Sequence, residues 1–380
     1  MDTTGATLGV EEEYLLLDTR SHLPCPCAQR VHDAARIGSG LGRDEVDREL
    51  LQAQVEIATP VCGSLDEVGE HLTRLRRAVA SAAATEGCRP AATGGLPVPS
   101  QQDVPVTRER RYQKMHAEAR RLVDEQLICG MHIHVAVPSR SVGASALGRV
   151  RPWLPVLLAL GANSPFWQGQ DTGFGSWRTV VFGRWPVSGS PPFVTDADDY
   201  EERVEALMAT GVAPDRKQLY WLARLSERYP TLEVRAPDVQ VDVADAVTLA
   251  GLARALVVTA IREAQHAERA LDPPASIMHA AEWHAARHGL SGTLVDPRSG
   301  TQADAADVVR ALLDHTGAAL AESGDTERVT AGVERFLAEG TGADRQRAAE
   351  RDGGMPALLA LVTRHGFEDA RPAQAQEAGT

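Results

Sequence analysis

Two histidines stand at alternate positions in the segment CGMHIHVAV, residues 129–137 of the 380-residue chain. Alternate side chains lie on one face of a β-strand, so a strand here holds His132 and His134 side by side. Imidazoles placed in this way can ligate a metal ion, donate hydrogen bonds to phosphate, or pack in a core with their hydrogen bonds satisfied. Taken alone, the pair favours the core interpretation.

Three further segments place polar side chains at alternate positions of a predicted strand. They are TLGVEEEYLLLD with Glu11 and Glu13, LLQAQVEIATP with Gln54 and Glu56, and TLEVRAPDV with Glu233 and Arg235. Their other faces are largely apolar, which is typical of strands that pack against a core. Each pair by itself fits a solvated strand face equally well. If all four strands pair in one antiparallel sheet, their common face gathers carboxylates, two imidazoles and a guanidinium, and this agreement favours a functional site.

Carboxylates gathered in this way repel one another unless cations compensate their charge. A ligand set dominated by carboxylates favours the hard ions Mg²⁺ and Mn²⁺ over Zn²⁺. Histidine is an uncommon ligand of Mg²⁺ but an acceptable one of Mn²⁺, and it can also donate to phosphate. The common face therefore predicts a site for divalent cations.

A long segment without periodicity, SPFWQGQDTGFGSWRTVVFGRWPVSGSPP, concentrates aromatics, glycines and arginines in a chain that is only 4% aromatic. Long loops in compact domains are usually functional or disordered, and three tryptophans argue against disorder. Arg178 and Arg184 lie beside these aromatic residues. They either clamp phosphate or carboxylate groups or stack on tryptophan as part of the structure, and the sequence leaves both uses open.

The remaining pattern predicts strands in the first part of the chain and helices in the last. Ser64 and Glu67 form a capping box that opens a helix ending near Glu86, and a strand is predicted near residues 89–93. Further helices are predicted at 107–125, at 144–162 with a kink at Pro152 and Pro155, and at 243–269, 276–288, 303–321, 326–339 and 343–366. We expect one catalytic domain over residues 1–370, with the sheet in about 1–240, the helical part in about 241–370, and a frayed tail at 371–380.

Composition excludes several classes of partner and cofactor. The chain has a formal net charge of −13 and no basic patch, which argues against nucleic-acid binding. Its lysines are Lys114 and Lys217 alone, so bound anions are held by arginine. The five cysteines match no zinc ribbon, and Cys25-Pro-Cys27 is too short for the usual metal clip, so free thiols in a reducing cytosol are expected. The chain starts without a signal-peptide pattern, and its longest apolar stretch is too short to span a bilayer, so we expect a cytoplasmic protein with no membrane partner.

Other catalytic motifs are absent from the sequence. It contains no GxSxG, GxxxxGK[ST] or strand-linked GxGxxG pattern. His284 and His288 stand four apart on a predicted helix, as in metalloproteases, but Ala285 replaces the glutamate that would act as general base. A solvated helix face is therefore the favoured interpretation of that histidine pair.

Five motifs in order carry a resemblance to a known family. GVEEEYLLLD, CGMHIHVAV, ANSPFWQGQDTGFGSWR, FGRWP and TLEVRAPDV resemble the glutamate–cysteine ligase type 2 family of carboxylate–amine ligases, from about residue 8 to beyond residue 260. The resemblance implies an α+β, glutamine-synthetase-like fold, in which a curved antiparallel sheet forms a funnel with helices outside and a helical C-terminal half. It also implies ATP-dependent amide formation through an acyl phosphate, typically between the γ-carboxyl of glutamate and the amine of cysteine.

The resemblance also assigns roles to individual residues. The implied cofactors are ATP and Mg²⁺ or Mn²⁺. The implied metal ligands are Glu11, Glu13, Glu56, His132 and Glu233. Arg235, Arg178 and His132 are predicted to act in catalysis, and Arg178, Arg184, His134 and Arg235 are predicted to contact the nucleotide.

Two positions depart from the family pattern and bear on the substrates. Leu222 in YWLARLSERYP stands where an aspartate is usual, and Gly95-Leu96-Pro97 lacks the usual histidine before proline. Both are expected near a substrate pocket, so two alternatives stay open: the same chemistry on another acid and amine, or a non-catalytic homologue that binds nucleotide and metal. The expected partners are a small-molecule acid and amine, and a homo-oligomer is left open.

Overall fold

A seven-stranded antiparallel sheet forms the centre of the protein. A computed structural model describes residues 5–38, 41–364 and 367. The strand order is β10–β11–β5–β1–β3–β2, and β4 pairs with the C-terminal end of β1. The strands are β1 (Leu8–Asp18), β2 (Val46–Arg48), β3 (Gln54–Ala58), β4 (Cys88–Ala91), β5 (Met131–Ala136), β10 (Ala223–Leu225) and β11 (Thr231–Val234).

Short strand pairs and helices complete the described ranges. The strand pairs are β6 (Phe166–Trp167) with β7 (Gln170–Asp171), β8 (Ser188–Gly189) with β9 (Tyr220–Trp221), and β12 (Thr293–Val295) with β13 (Gln302–Asp304). The α-helices are α1 (Ala28–Gly38), α2 (Leu65–Thr85), α3 (Arg110–Ala119), α4 (Arg121–Asp124), α5 (Arg140–Val150), α6 (Leu154–Leu160), α7 (Trp177–Phe182), α8 (Ala197–Ala209), α9 (Val243–Gln265), α10 (Ala275–His288), α11 (Ala305–Ser323), α12 (Thr326–Glu339) and α13 (Gly342–Arg364). Turns of 3₁₀-helix lie at Arg151–Trp153 and Arg216–Gln218.

Strand β1 lies between β3 and β5 and sets the register of the polar face. The directly opposed residues are Glu13 and Glu56 on β1 and β3, Glu11 and His132 on β1 and β5, and Glu233 and His134 on β11 and β5. The four predicted strands therefore pair in one antiparallel sheet. Because the register joins these positions directly, their alternating polar side chains share one face.

Helices α2 and α9 contact the central strand of the sheet. Helix α9 is long and apolar enough to cross a membrane, yet 89% of its most apolar window is buried within the protein. Helices α2, α5, α11 and α12 pack around it, and one hydrophobic cluster extends from Leu8 to Phe367. The expectation that no apolar stretch is long enough to span a bilayer was therefore wrong, but the apolar character of α9 is that of a core helix.

Most of the predicted strands and helices are observed, but three of the predicted helices are interrupted. Ser64 caps α2 by accepting a hydrogen bond from the backbone N–H of Glu67. The helix predicted at 107–125 was wrong as a single element, because Arg120, with φ of 44°, separates α3 from α4. The helix predicted at 144–162 is likewise divided by the 3₁₀ turn at Arg151–Trp153, and non-helical angles at Gly353 and Gly354 interrupt α13.

Several elements were not predicted. Helices α1 and α8 and strand β10 had no counterpart in the sequence pattern. The predicted tail at 371–380 lies outside the described residues. The division into one catalytic domain with a sheet part and a helical part stays a prediction.

Candidate active site

A cavity of about 540 Å³ lies over the polar face of the sheet. Polar side chains from β1, β3, β5 and β11 form its floor, and arginines from the surrounding segments enter it from the sides. The predicted site residues that line it are Glu11, Glu13, Glu56, His132, His134, Arg178, Glu233 and Arg235. Segments that are far apart in sequence thus meet around one volume.

His132 occupies the middle of the floor. Its Nδ1 lies 3.2 Å from an oxygen of Glu11 and 4.0 Å from an oxygen of Glu233, and its Nε2 lies 3.7 Å from an oxygen of Glu13. The neighbouring His134 places Nε2 3.5 Å from Glu11. Both imidazoles therefore contact the carboxylates rather than the apolar core.

Two overlapping groups on this floor offer ligand atoms within 4.8 Å of one another. They are Glu11, His132 and Glu233, and Glu13, Glu56 and His132. A neutral imidazole has one lone pair, so His132 can complete one group as a ligand while its N–H faces the other. The Nε2 atoms of His132 and His134 are buried and make no hydrogen bond with the described residues. The donor set therefore suits divalent cations that bind oxygen and one imidazole.

The carboxylates of the floor differ in charge state. Burial raises the pKa of Glu56 well above its ordinary value, and the charges of Glu11 and Glu49 raise it further. Burial also acts on Glu11, but the neighbouring imidazoles of His132 and His134 outweigh it and lower the pKa of that carboxyl. Glu56 therefore lacks a compensating cation within the described chain, whereas Glu11 has two imidazoles.

The carboxyl groups of Glu233 and Glu49 also have pKa values shifted in opposite directions. Burial opposes ionisation of Glu233, yet the guanidiniums of Arg235 and Arg224 hold its pKa well below the ordinary value. Burial and the charge of Glu13 raise the pKa of Glu49 to about 8. The floor thus has a compensated side near β11 and an uncompensated side near β3.

The two histidines also differ. Burial and the charge of Arg235 lower the pKa of His132, which favours the neutral form that can ligate a metal. Burial also lowers the pKa of His134, but the interaction with Glu11 outweighs burial, so the net shift of this pKa is upward. A cationic His134 is better suited to meet an anion. The electrostatics thus match the different roles predicted for the two residues, which stay predictions.

Two buried arginines lie beside the floor. Arg235 donates to Glu233 from Nη1, and its buried Nε has no partner in the described chain. Arg178 donates to the backbone carbonyl of Arg235 over 3.3 Å and lies with its guanidinium 5.5 Å from the centre of the Phe182 ring. A Cβ on Gly130 would stand 2.2 Å from Arg178 Nη2, so glycine in the CGMHIH segment leaves room for this guanidinium.

Arg184 is not brought to the cavity. It is not one of the lining residues, and its guanidinium pairs with Glu125, a half-exposed residue after α4. The structure therefore separates Arg178, which enters the cavity, from Arg184, which forms a peripheral ion pair. Its predicted contact with the nucleotide has no support from this geometry.

Sequence reasoning missed several cavity residues. They are Glu49, Arg111, Tyr112, Arg224, Ser226 and Arg228. A signal existed for Arg224 and Ser226, because they alternate in LARLSE as the other polar pairs do, and Arg224 lies opposite Glu233 across β10 and β11. No alternation marks Glu49, which precedes β3.

The two departures from the family pattern lie away from the cavity. Leu222 is buried in the core, where its backbone N–H donates to Gly189, and it is not a lining residue. Leu96 is also buried, and none of the residues of Gly95-Leu96-Pro97 lines the cavity. The expectation that these positions line a substrate pocket was wrong for the cavity described here.

Comparisons with known proteins identify the family of the chain. The model of the family described as glutamate–cysteine ligase family 2 matches residues 7–360. The chain is 41% identical over 345 residues to "Putative glutamate–cysteine ligase 2-1" of Saccharopolyspora erythraea, which covers 91% of this chain and 90% of that one. It is 40% identical over 359 residues to "Putative glutamate–cysteine ligase 2" of Streptomyces coelicolor, with 94% and 98% covered.

Solved structures with low identity share the fold. A glutamate–cysteine ligase from Francisella tularensis in complex with AMP matches with a TM-score of 0.72 and 12% identity, over 97% of this chain and 90% of that one. A bifunctional glutathione synthetase from Pasteurella multocida matches with a TM-score of 0.68 and 16% identity, over 96% of this chain and 52% of that one. The predicted glutamine-synthetase-like α+β fold, with an open antiparallel sheet and helices outside, is confirmed. The chain belongs to glutamate–cysteine ligase family 2 and is an ATP-dependent carbon–nitrogen ligase of the carboxylate–amine type.

Proposed function

We propose that the cavity joins the γ-carboxyl of glutamate to the amine of cysteine, with ATP converting the carboxyl into an acyl phosphate. The observation that carries the proposal is the convergence of carboxylates and imidazoles from four distant strands on one sheet face, with two buried arginines beside them. The names of the relatives supply the substrate pair. The arrangement itself supports a reaction in which negative charge accumulates and must be compensated.

Divalent cations, Mg²⁺ or Mn²⁺, would be held by the carboxylate floor. Their ligands would be Glu11, Glu13, Glu56, Glu233 and His132, which offer oxygen atoms and one imidazole nitrogen within reach of one another. The uncompensated Glu56 and the unpartnered Nε2 of His132 support this assignment. Bound cations would neutralise phosphate charge and polarise the phosphoryl group during transfer.

The arginines would act on the acid and phosphate groups. A carboxylate is a poor electrophile, because its oxygen is a poor leaving group, and phosphorylation replaces that oxygen with a good one. Arg178 and Arg235 would hold the phosphate oxygens and the oxyanion that forms when the amine attacks. Each such donor typically contributes about 3 kcal/mol to the transition state. His134, in its cationic form, would contribute a further donor to the nucleotide.

Turnover of ATP with defined substrate pairs tests the proposal. We expect purified protein with Mg²⁺ to release ADP and form the dipeptide when glutamate and cysteine are both present, as followed by mass spectrometry. If product forms only with another acid and amine, the proposed reaction stands but glutamate and cysteine are not its substrates. No ADP release with any pair in a substrate screen would favour the non-catalytic homologue.

Substitution of a floor carboxylate tests the site itself. Glu11→Gln removes a charged ligand at nearly constant shape, and the loss of several kcal/mol of transition-state stabilisation predicts about a 10³-fold fall in kcat. Glu118→Gln, on an exposed position of α3, is the matched control and should keep full activity. Thermal melting checks that both variants fold. Full activity in Glu11→Gln would remove the metal assignment.

A cytoplasmic location and a homo-oligomer stay predictions.

A further inference from the structure

Three cysteines that are distant from the cavity meet at the other end of β1. Cys25, Cys27 and Cys88 each offer a sulfur atom, and the three atoms lie within 4.8 Å of one another. The Sγ atoms of Cys27 and Cys88 are 3.1 Å apart, and all three residues are free thiols. None of the three lines the cavity over the polar face. The cluster is therefore separate from the site of the proposed ligase reaction.

Fixed elements of the backbone hold the thiols together. Cys25 donates its backbone N–H to Leu16 on β1 over 2.8 Å. Cys27 immediately precedes α1, and its carbonyl accepts the first hydrogen bond of that helix, from Val31. Cys88 begins β4 and lies opposite Asp18 of β1. Cys25 and Cys27 thus lie in the segment between β1 and α1, which hydrogen bonds fix to the strand and the helix, and Cys88 lies on a strand. Side chains fixed in this way form a preformed ligand set.

The donor set selects one class of ligand. Thiolates are soft ligands that prefer Cu⁺ and Zn²⁺ to Mg²⁺ or Mn²⁺. Structural Zn²⁺ sites are almost always four-coordinate, and in the described chain this group contains no fourth cysteine, histidine or carboxylate. Cu⁺ accepts three thiolates in a plane. The composition of the group therefore favours the monovalent ion.

We propose that Cys25, Cys27 and Cys88 form a three-thiolate site for one Cu⁺ ion. Binding breaks three S–H bonds, releases three protons to solvent and forms three Cu–S bonds, with no change in oxidation state. Cys25 is partly exposed, whereas Cys27 and Cys88 are buried, so the ion enters past Cys25. The N-terminus of the 11-residue helix α1 lies at Cys27 and offsets part of the negative charge.

Competition for Cu⁺ with bicinchoninate, under anaerobic conditions and after full reduction, tests the site. We expect the full-length protein to remove one equivalent of Cu⁺ from the coloured complex. Cys27→Ser and Cys88→Ser should each lower the affinity at least 100-fold, and Cys25→Ser should lower it by a smaller factor. Cys62→Ser changes a buried cysteine outside the cluster and should bind as the unmodified protein does.

Thermal melting separates loss of the site from loss of the fold. Cu⁺ should raise the melting temperature of the unmodified protein and of Cys62→Ser, but not that of Cys27→Ser. If a buried variant does not fold, the partly exposed Cys25→Ser still tests the site through its weaker binding. The proposal is overturned if the reduced protein takes up no Cu⁺, if the cluster variants bind as tightly as Cys62→Ser, or if Zn²⁺ binds these thiols while Cu⁺ does not. ADP release is measured separately, so neither result depends on the other.

Discussion

The two faces of β1 hold buried carboxylates in opposite ways. On the face toward α2, Glu12 is fully buried and accepts hydrogen bonds from Nε and Nη2 of Arg76 and from the hydroxyl of Tyr14. Arg76 also donates to the backbone carbonyls of Val241 and Gln240, over 2.8 Å each. Both oxygens of Glu12 and all three guanidinium nitrogens of Arg76 are hydrogen-bonded, so this ion pair ties the sheet to α2 and to the segment before α9.

The cavity face leaves its polar groups short of partners. Burial and neighbouring negative charges raise the pKa of Glu56, and the buried Nε2 atoms of His132 and His134 face carboxylates at 3.7 and 3.5 Å without forming a hydrogen bond. Buried polar groups normally find partners, because an unpaired one costs about 1–3 kcal/mol. The core face of the sheet thus pairs its carboxylate within the chain, whereas the cavity face holds buried groups without close partners. These are the groups to which the proposed ligands would supply partners.

Removing Arg76 should cause the largest loss of stability. Arg76→Leu leaves Glu12 charged, buried and without its cation, which typically costs about 3–5 kcal/mol. We expect the urea midpoint of unfolding to fall sharply, while the protein that remains folded keeps its ATP turnover. Arg74→Leu, from the same helix, removes a more exposed pair with Glu45 and should cost no more than about 1 kcal/mol. Equal stability of the two variants would contradict the structural role of the buried pair.

Glu56→Gln should raise the stability of the protein, whereas Arg76→Leu lowers it. Because the pKa of Glu56 is raised from 4.5, the folded protein keeps a proton that the unfolded chain releases, and folding becomes less favourable as pH rises above 4.5. A neutral amide removes this cost, so the variant should be more stable by about 1 kcal/mol or more at pH 8 and show no gain below pH 4. Its ATP turnover should fall about 100-fold or more, since a proposed metal ligand is lost.

Urea unfolding at several pH values, with EDTA present, measures the gain in stability of Glu56→Gln. EDTA matters because bound cations would stabilise the unmodified protein and hide the repulsion. Asp47→Asn is the control: Asp47 lies opposite Glu56 on β2 but is exposed and outside the cavity lining. A variant that loses both stability and activity would show that Glu56 has a structural partner after all.

Alternation in the sequence predicted most of the sheet face. Side chains of a strand alternate between its two faces, so a strand packed on a core shows apolar residues at every second position. Polar positions such as Glu11 and Glu13 therefore mark the opposite face. The same rule places Glu12 on the core face with Val10 and Tyr14, as observed, but it does not say what pairs with a carboxylate there. Its partner Arg76 is separated from it by 64 residues, and only the packing of α2 against the sheet brings them together.

The sides of the cavity were harder to predict than its floor. Arg178 and Arg184 stand in equivalent surroundings of aromatic and glycine residues, yet the first enters the cavity and the second pairs with Glu125. Their positions depend on α7 and the loop after it, which have no periodic pattern. Glu49 similarly reaches the cavity from a turn. Side chains on irregular segments depend on tertiary contacts that local patterns do not encode.

Gly130→Ala should give the smallest effect and the most specific one. The backbone of Gly130 does not have a positive φ, so alanine fits the strand, but its Cβ would stand 2.2 Å from Nη2 and 2.6 Å from Cζ of Arg178. The guanidinium is the end of a flexible side chain and can move aside. We expect a loss of about 1 kcal/mol in stability and about a tenfold fall in kcat, since Arg178 would be displaced from the position in which it is proposed to hold phosphate.

Two further variants show whether Gly130→Ala acts through Arg178. Gly317→Ala, in the interior of α11, has no atom within 4 Å of the added Cβ and should be as active as the unmodified protein and slightly more stable. If the guanidinium is what the alanine displaces, Gly130→Ala combined with Arg178→Ala should be no less active than Arg178→Ala alone. Fully additive losses would mean that Gly130 acts on the floor instead, through the hydrogen bond of 2.6 Å from its N–H to Glu13. The cavity face would then be held by its strand backbone, as the opposite face is held by Arg76.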